Sequence, residues 1–589
     1  MPQGTPSMRN WQMGVLRGIA GELGLNVGGY ISRSRHCAVG VLAAMHVLLI
    51  HAKRSTPPSK DEVQLRRFAL LAGIEHLLHG VPGTYVEPFD WGLDFLESSN
   101  WTLGSSWDLI VNMQHPVFCD FAAFAQANPA PALPASVWRG RSPRGPRPPR
   151  RGLRPFIFST HTALAREAHL ELRAAIGGFS GLADPKFLFI ESMASTSCKE
   201  CRTSLEDGVL VGREFLESWR ARRLSVAGMR EELAELLAAL LSWGSGPGMG
   251  PSSLDLLVCM EPFWLAPLLS SVLHAPVLVQ LNVAALLEFP AIDAQEVDAW
   301  WGLFHAMFAV PGTAVAVTSL FLQAQALEQC GRRFLYTPLL GLHTRAKARS
   351  PALRQEVLVH RAEDTYAQEG HKRLLEVFAP LWERHAPQLA ARFVFVRRDD
   401  RPSFSEQAQY RALVVFPRQP HEVKLADAFA MELVTFVPDE PLAHRFIWPH
   451  AKPFGFWTRD LDRRTAMWGR SPWRTSAPDC EPHAPACALY GMPLMLGPNA
   501  SLSLASLAAQ RFWWPWTEWG VLMQAGVQGF VSVPDLLVRL AGLGGDKASA
   551  IQAQMRRAQS KRRRRTLRWW RRAAGAACHQ MRRKSGGGK

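Results

Sequence analysis

Acidic residues are missing from two stretches of this chain. Residues 547–589 hold 15 Lys and Arg with no Asp or Glu, and residues 139–154 hold seven Arg with none. The formal net charge is +17, so everything outside those stretches sums to about −5. That weighs against a nucleic-acid-binding body, because such a domain should itself carry a basic face. Cysteine is also sparse. There are nine, and the one CxxC, Cys198 to Cys201, has no second CxxC after it. A zinc module of two such pairs is therefore absent. Cys480, Cys487 and His483 complete a site only by long-range folding, and the plainer reading is scattered thiols with one or two disulfides. Long apolar runs are lacking as well. The best, Cys37 to Ala52, has 16 residues between Arg33, Arg35 and Lys53, Arg54. A spanning helix needs roughly 17–25 residues. Two readings stay open: a short signal-anchor in a Golgi or other secretory membrane, or a buried helix of a cytoplasmic or nuclear protein. The sequons at Asn100 and Asn499 would serve only in the first case.

What is present is a globular composition. Hydrophobic residues make up 47% of 589 positions, enough for two to four domains with real cores. The 21 Trp are numerous and often paired, as at Trp300–Trp301 and Trp569–Trp570. Indole rings stack on sugars and bases, but core packing is their commoner role.

Along the chain, residues 1–128 form an N-terminal region of mixed character. Residues 129–154 are Pro- and Arg-rich and read as a linker. From Pro155 a regular alternation sets in. Strand-like runs at 155–160, 186–191, 254–260, 276–282, 313–318 and 333–337 are separated by helical patterns such as 163–176, 229–243 and 320–330. Residues 338–352 connect to a second series, with strands at 356–360, 391–396, 411–416 and 433–437 and helices at 369–385, 404–409 and 422–431. Strands alternating with helices imply a parallel sheet covered on both faces. The expected fold is α/β, with Rossmann-like doubly wound domains at 155–345 and 352–540 and a cleft between them. Residues 541–589 are expected to be a disordered basic tail.

The segment Tyr410 to Glu440, YRALVVFPRQPHEVKLADAFAMELVTFVPDE, reads as strand, loop, helix, strand. Ligands of doubly wound sheets sit at the carboxyl ends of strands. This unit places Arg418, His421, Glu422 and Lys424 there.

Tandem domains of this kind resemble the GT-B architecture of nucleotide-sugar glycosyltransferases, in a divergent form similar to algal and protist proteins. Lys424 to Pro438 resembles the family's helix-turn-strand pattern through Leu425, Asp427, Ala430, Phe436, Val437 and Pro438. Trp516 to Leu540 is similar to a later family segment through Trp519, Phe530, Ser532, Asp535, Leu536 and Leu537. The resemblance implies transfer of a sugar from a UDP- or GDP-linked donor to a hydroxyl of a glycan, protein or lipid. It implies no cofactor beyond that donor and no metal. Asp427 takes the ribose position, with Arg361, Arg418 and Lys424 around the diphosphate. An acceptor base should come from the first domain, and His161 or Glu261, each just after a strand, is placed for it. The pattern departs at Glu432, where the family has Gly, and at Val434, where it has Pro. Those departures imply the alternative of a GT-B-like scaffold without activity.

The tail motif KRRRRTLRWWRR, Lys561 to Arg572, carries a separate expectation. Arg beside paired Trp binds phosphates and stacks bases, so nucleic acid is a partner through the tail alone. The same run also reads as a patch for anionic membranes.

Overall fold

The computed structural model describes residues 125–127, 132–133, 138, 155–159, 161–177, 186–190, 208–211, 218–219, 221–243, 256–282, 289–290, 294–350, 352–360, 387, 390–396, 402–416, 423–440, 443, 511, 514–531 and 533–586. Two parallel sheets organise them. The first has seven strands: β1 (Pro155–Ser159), β2 (Lys186–Ile190), β3 (Gly208–Val211), β4 (Leu256–Glu261), β5 (Val277–Leu281), β6 (Ala314–Val317) and β7 (Leu335–Tyr336). Their spatial order is β3-β2-β1-β4-β5-β6-β7. The second has five strands: β8 (Val357–His360), β9 (Phe393–Phe395), β10 (Ala412–Val415), β11 (Thr435–Pro438) and β12 (Gln528–Phe530), in the order β12-β11-β10-β8-β9. Both are doubly wound orders. Each reverses direction once, between β1 and β4 in the first sheet and between β8 and β10 in the second.

Side-chain alternation explains why these runs became strands. Phe156 and Phe158 face one side of the first sheet, with Cys259, Val279 and Val317. Ile157 faces the other side, with Val258, Leu278 and Ala316. That is the two-residue period of a pleated sheet buried on both faces. On the first side pack α3 (Leu265–Leu273), α4 (Ala294–Met307) and α5 (Leu320–Cys330). There Trp264, Trp300, Trp301 and Phe304 are fully buried in one aromatic cluster, so these indoles are core. Beside them α2 (Val226–Trp243) contributes Met229 and Leu233. On the other side lies α1 (Thr162–Ile176), which ends at Gly177 in a left-handed conformation.

The second sheet is covered in part by α7 (Val423–Ala430), by the four-residue helix α6 (Phe404–Gln407), and by α8 (Glu518–Met523) and α9 (Val533–Ala541). A capping box of Ser403 and Glu406 starts α6.

The tail overturns its expectation. Gly545–Gly586 is one helix, α10, of 42 residues. Its first half joins the core of the second sheet through Ile551 and Met555. Its second half lies beside α1 on the first sheet, burying Trp569, Trp570, Ala573, Ala574 and Ala577. The open face of the first sheet needs a helical cover, and α10 supplies it. The expectation came from charge: most of the basic residues occupy one side of a helix whose other side is apolar, and a composition average hides that segregation. Base stacking by Trp569 and Trp570 is corrected with it, since both rings are buried.

The connection Pro338 to Thr344 is buried between α1, α7 and α10. Its carbonyls accept from α10: Thr566 bonds Pro338 at 3.0 Å, Arg562 bonds Leu339 at 3.0 Å and Gln559 bonds Leu340 at 2.6 Å. Gly341, at φ 64°, lies so close to α7 that a Cβ there would stand 2.6 Å from the Ala430 Cβ. No helix among the described residues is long and apolar enough to cross a membrane, and residues 37–52 lie outside them.

Candidate active site

At the reversal point of the first sheet, β1 and β4 are neighbours and their carboxyl ends meet. Ser159 pairs in register with Glu261 across a local irregularity after Phe158. The buried Ser159 hydroxyl accepts from the His161 backbone N–H and donates to the His161 carbonyl, both at 3.0 Å. This loop holds His161 in extended backbone as the residue that caps α1. His161 and Glu261 are both partly exposed. The two candidate bases therefore sit at adjacent strand ends, on the side where doubly wound sheets take ligands.

In the second sheet, His360 ends β8 and Phe416 follows β10. Arg361 and Arg418 come next in the chain and, like His421 and Glu422, lie outside the described residues. Lys424 and Asp427 lie on α7 and are buried. The Lys424 ammonium donates to Gln407 Oε1 at 2.6 Å and sits 5.0 Å over the Phe404 ring. Asp427 turns toward the domain junction, where its Oδ1 is 3.1 Å from His343 Nε2.

That contact belongs to a buried cluster the sequence reading missed. His343 Nδ1 is 2.8 Å from Glu167 Oε2, and the His343 backbone N–H donates to the same oxygen at 3.2 Å. Glu171, one helical turn further along α1, shares the Leu340 N–H with Glu167, each oxygen at 3.0 Å. Its Oε2 accepts from the Trp570 indole at 2.6 Å. One imidazole thus bridges α1 of the first sheet to α7 of the second, and a fourth element, α10, closes the cluster.

Burial alone would drive the His343 imidazolium toward neutrality. The charges and hydrogen bonds of Asp427 and Glu167 overcome it and raise the pKa to about 10. Burial would likewise raise Glu167, yet the hydrogen bond and charge of His343 hold it below the ordinary carboxylate range. Glu171 goes the other way. Burial first, and then the neighbouring Glu167 charge, push it well above the ordinary range. The consistent proton inventory is a charged His343 beside an ionised Glu167, with Glu171 protonated and bonded to Glu167. The available signal was two acids four residues apart on the apolar face of α1. Charged side chains are rarely buried unless paired, so that spacing called for a cation partner.

Glu432 answers the question its position raised. It adopts φ 60°, the left-handed conformation that a glycine takes easily. Its carboxylate is held by Lys347 at 2.9 Å and by Arg556 of α10 at 2.8 Å. The turn forms without glycine, with the charge of the side chain carried off by two cations. Among the described residues no group of three His, Cys, Asp or Glu is arranged to hold a metal.

No protein-family profile and no curated protein matches this chain. Among solved structures, a mutant O-GlcNAc transferase from Thermobaculum terrenum matches at 12% identity with a TM-score of 0.25. The match covers 96% of this chain and 99% of that one. At that score it adds nothing to the fold read from strand order and register. The chain is a mixed α/β protein of two doubly wound parallel sheets, joined through a buried connection and strapped by one long helix.

Proposed function

We propose that this protein is a glycosyltransferase of GT-B type that moves a sugar from a UDP- or GDP-linked donor to an acceptor hydroxyl. The observation that carries the reading is the placing of His161 and Glu261 at the reversal point of the first sheet, beside a second doubly wound sheet. His161 takes the proton of the acceptor hydroxyl as its oxygen attacks the anomeric carbon, and the nucleoside diphosphate leaves. Glu261, in the neighbouring strand end, orients the imidazole or takes its place as base. Arg361 and Arg418, which follow β8 and β10 in the chain, meet the diphosphate charge. The acceptor is a glycan, protein or lipid hydroxyl.

The test is release of nucleoside diphosphate from UDP- and GDP-sugars in the presence of mixed glycan acceptors. His161→Gln should lower kcat by about 100-fold or more, the size of a general-base contribution. Equal turnover in wild type and variant would remove His161 from the reaction.

A second reading, a GT-B-like scaffold without activity, has its own observation. Both α7 candidates spend their side chains inside the protein, Asp427 on His343 and Lys424 on Gln407. It predicts no nucleotide binding at all.

A further inference from the structure

The outer face of α10 points away from both sheets. Arg557, Lys561, Arg564, Arg568 and Arg572 are all exposed. Their spacings of four, three, four and four residues put them on one side of the helix. The buried side chains Met555, Thr566, Trp569 and Ala573 occupy the opposite side. The five cations form a row about 22 Å long, at 1.5 Å rise per residue, with exposed Arg571 and Arg563 to one side of it. None has a hydrogen bond or ion pair among the described residues, and α10 contains no Glu and only one Asp, Asp546 in its first turn. Like charges at these spacings destabilise a helix. A face kept only for solubility would interleave acids.

We infer that this row is a docking surface for the phosphate backbone of double-stranded nucleic acid, bound without regard to sequence. Three observations select that occupant. A single strand is gripped by stacking, and the indoles of this helix, Trp569 and Trp570, are buried. A membrane-surface helix sinks its apolar face into the headgroup boundary, and the apolar face of α10 is already committed to both sheets. The exposed positions flanking the row, Gln554, Ser560 and Arg571, are polar and offer no apolar anchor for lipid. A linear row of four guanidinium groups and one ammonium matches a linear polyanion, and guanidinium bonds phosphate oxygens in pairs.

The inference is independent of glycosyl transfer, which should be unchanged by the substitutions below. Fluorescence anisotropy of a labelled 20-base-pair DNA duplex with the full chain tests it. Five phosphate contacts give a slope of log affinity against log salt of about −4.5, so affinity should fall several-hundred-fold between roughly 50 and 200 mM salt. The variant R557Q/K561Q/R564Q/R568Q/R572Q should lose most of that slope while unfolding at or above the wild-type temperature. Each single Gln should remove about 0.9 from the slope, which keeps the test sound if the fivefold variant misfolds. Duplex binding unchanged in the variants would overturn the inference. So would no duplex binding by the wild type, whether or not it binds phosphatidylserine vesicles.

Discussion

Replacing His343 by glutamine should be among the most destabilising single changes in this molecule. The imidazolium lies 2.8 Å from Glu167 and 3.1 Å from Asp427, with its side chain only 2% exposed. At an effective dielectric constant of about 20, a pair of unit charges 4 Å apart attracts by roughly 4 kcal/mol. Desolvation takes back much of that, so the ion pairs add little over an apolar core. Deleting only the cation is different, because it strands two carboxylates in the interior and costs about 3–5 kcal/mol. A pKa raised from 6.5 to about 10 gives a similar figure, about 5 kcal/mol at 1.4 kcal/mol per unit. The sign with pH follows from the raised value. The contribution of His343 is complete below pH 6.5 and is lost as pH rises toward 10, by up to about 1.4 kcal/mol per pH unit. Glu171, also raised, loses its contribution in the same direction. Urea unfolding followed by Trp fluorescence at pH 6, 7.5 and 9 reads both effects. His343→Gln should lower stability most at pH 6 and flatten the decline toward pH 9. The triple variant Glu167→Gln, His343→Gln, Asp427→Asn should recover part of the loss, since no buried charge is then left alone. A loss below about 1 kcal/mol at pH 6, with an unchanged pH slope, would refute the assigned proton inventory.

Other outcomes follow from the same packing. Ending the chain at residue 544 removes α10 and uncovers the first sheet. It should give aggregated protein in size-exclusion chromatography, whereas removal of a disordered tail would be neutral. Trp570→Ala should cost about 3–5 kcal/mol in chemical unfolding, from cavity formation and the lost bond to Glu171. At position 432, glycine should be more stable than alanine by about 1 kcal/mol, because both lose the Lys347 and Arg556 pairs but only glycine relieves the left-handed backbone. Gly341→Ala should cost roughly 2 kcal/mol or more by thermal unfolding, since its positive φ and the Ala430 contact both oppose a side chain.

The periodic parts of the fold were legible in the sequence. Runs such as Phe156–Phe158 and Leu256–Met260 are continuous, apolar and short, and each came out as a central parallel strand. Two short strands, Gly208–Val211 and Gln528–Phe530, were missed because four and three residues carry almost no pattern of their own. They are edge strands whose pairing is supplied by neighbours. The long helix α10 was missed because its many arginines dominate any average, while the apolar face depends on pairs such as Trp569–Trp570 that look like binding residues. Of the candidate site, the location of His161 just after β1 and of Glu261 at the end of β4 was readable from the strand pattern. The engagement of Asp427 was not, because His343 and Glu167 are 84 and 260 residues away in the chain and meet it only through the packed domain junction.

The central claim is that this two-sheet protein binds a nucleotide-sugar at its strand ends. Thermal unfolding of the full chain with UDP- and GDP-sugars tests it most directly. A donor at about 100 times its Kd should add roughly 2.7 kcal/mol, a shift of a few degrees. That shift should persist in His161→Gln, which acts on chemistry, and shrink in Arg361→Gln and Arg418→Gln, the residues proposed to meet the diphosphate. No stabilisation by any nucleotide or nucleotide-sugar would contradict the account and leave the inactive scaffold standing.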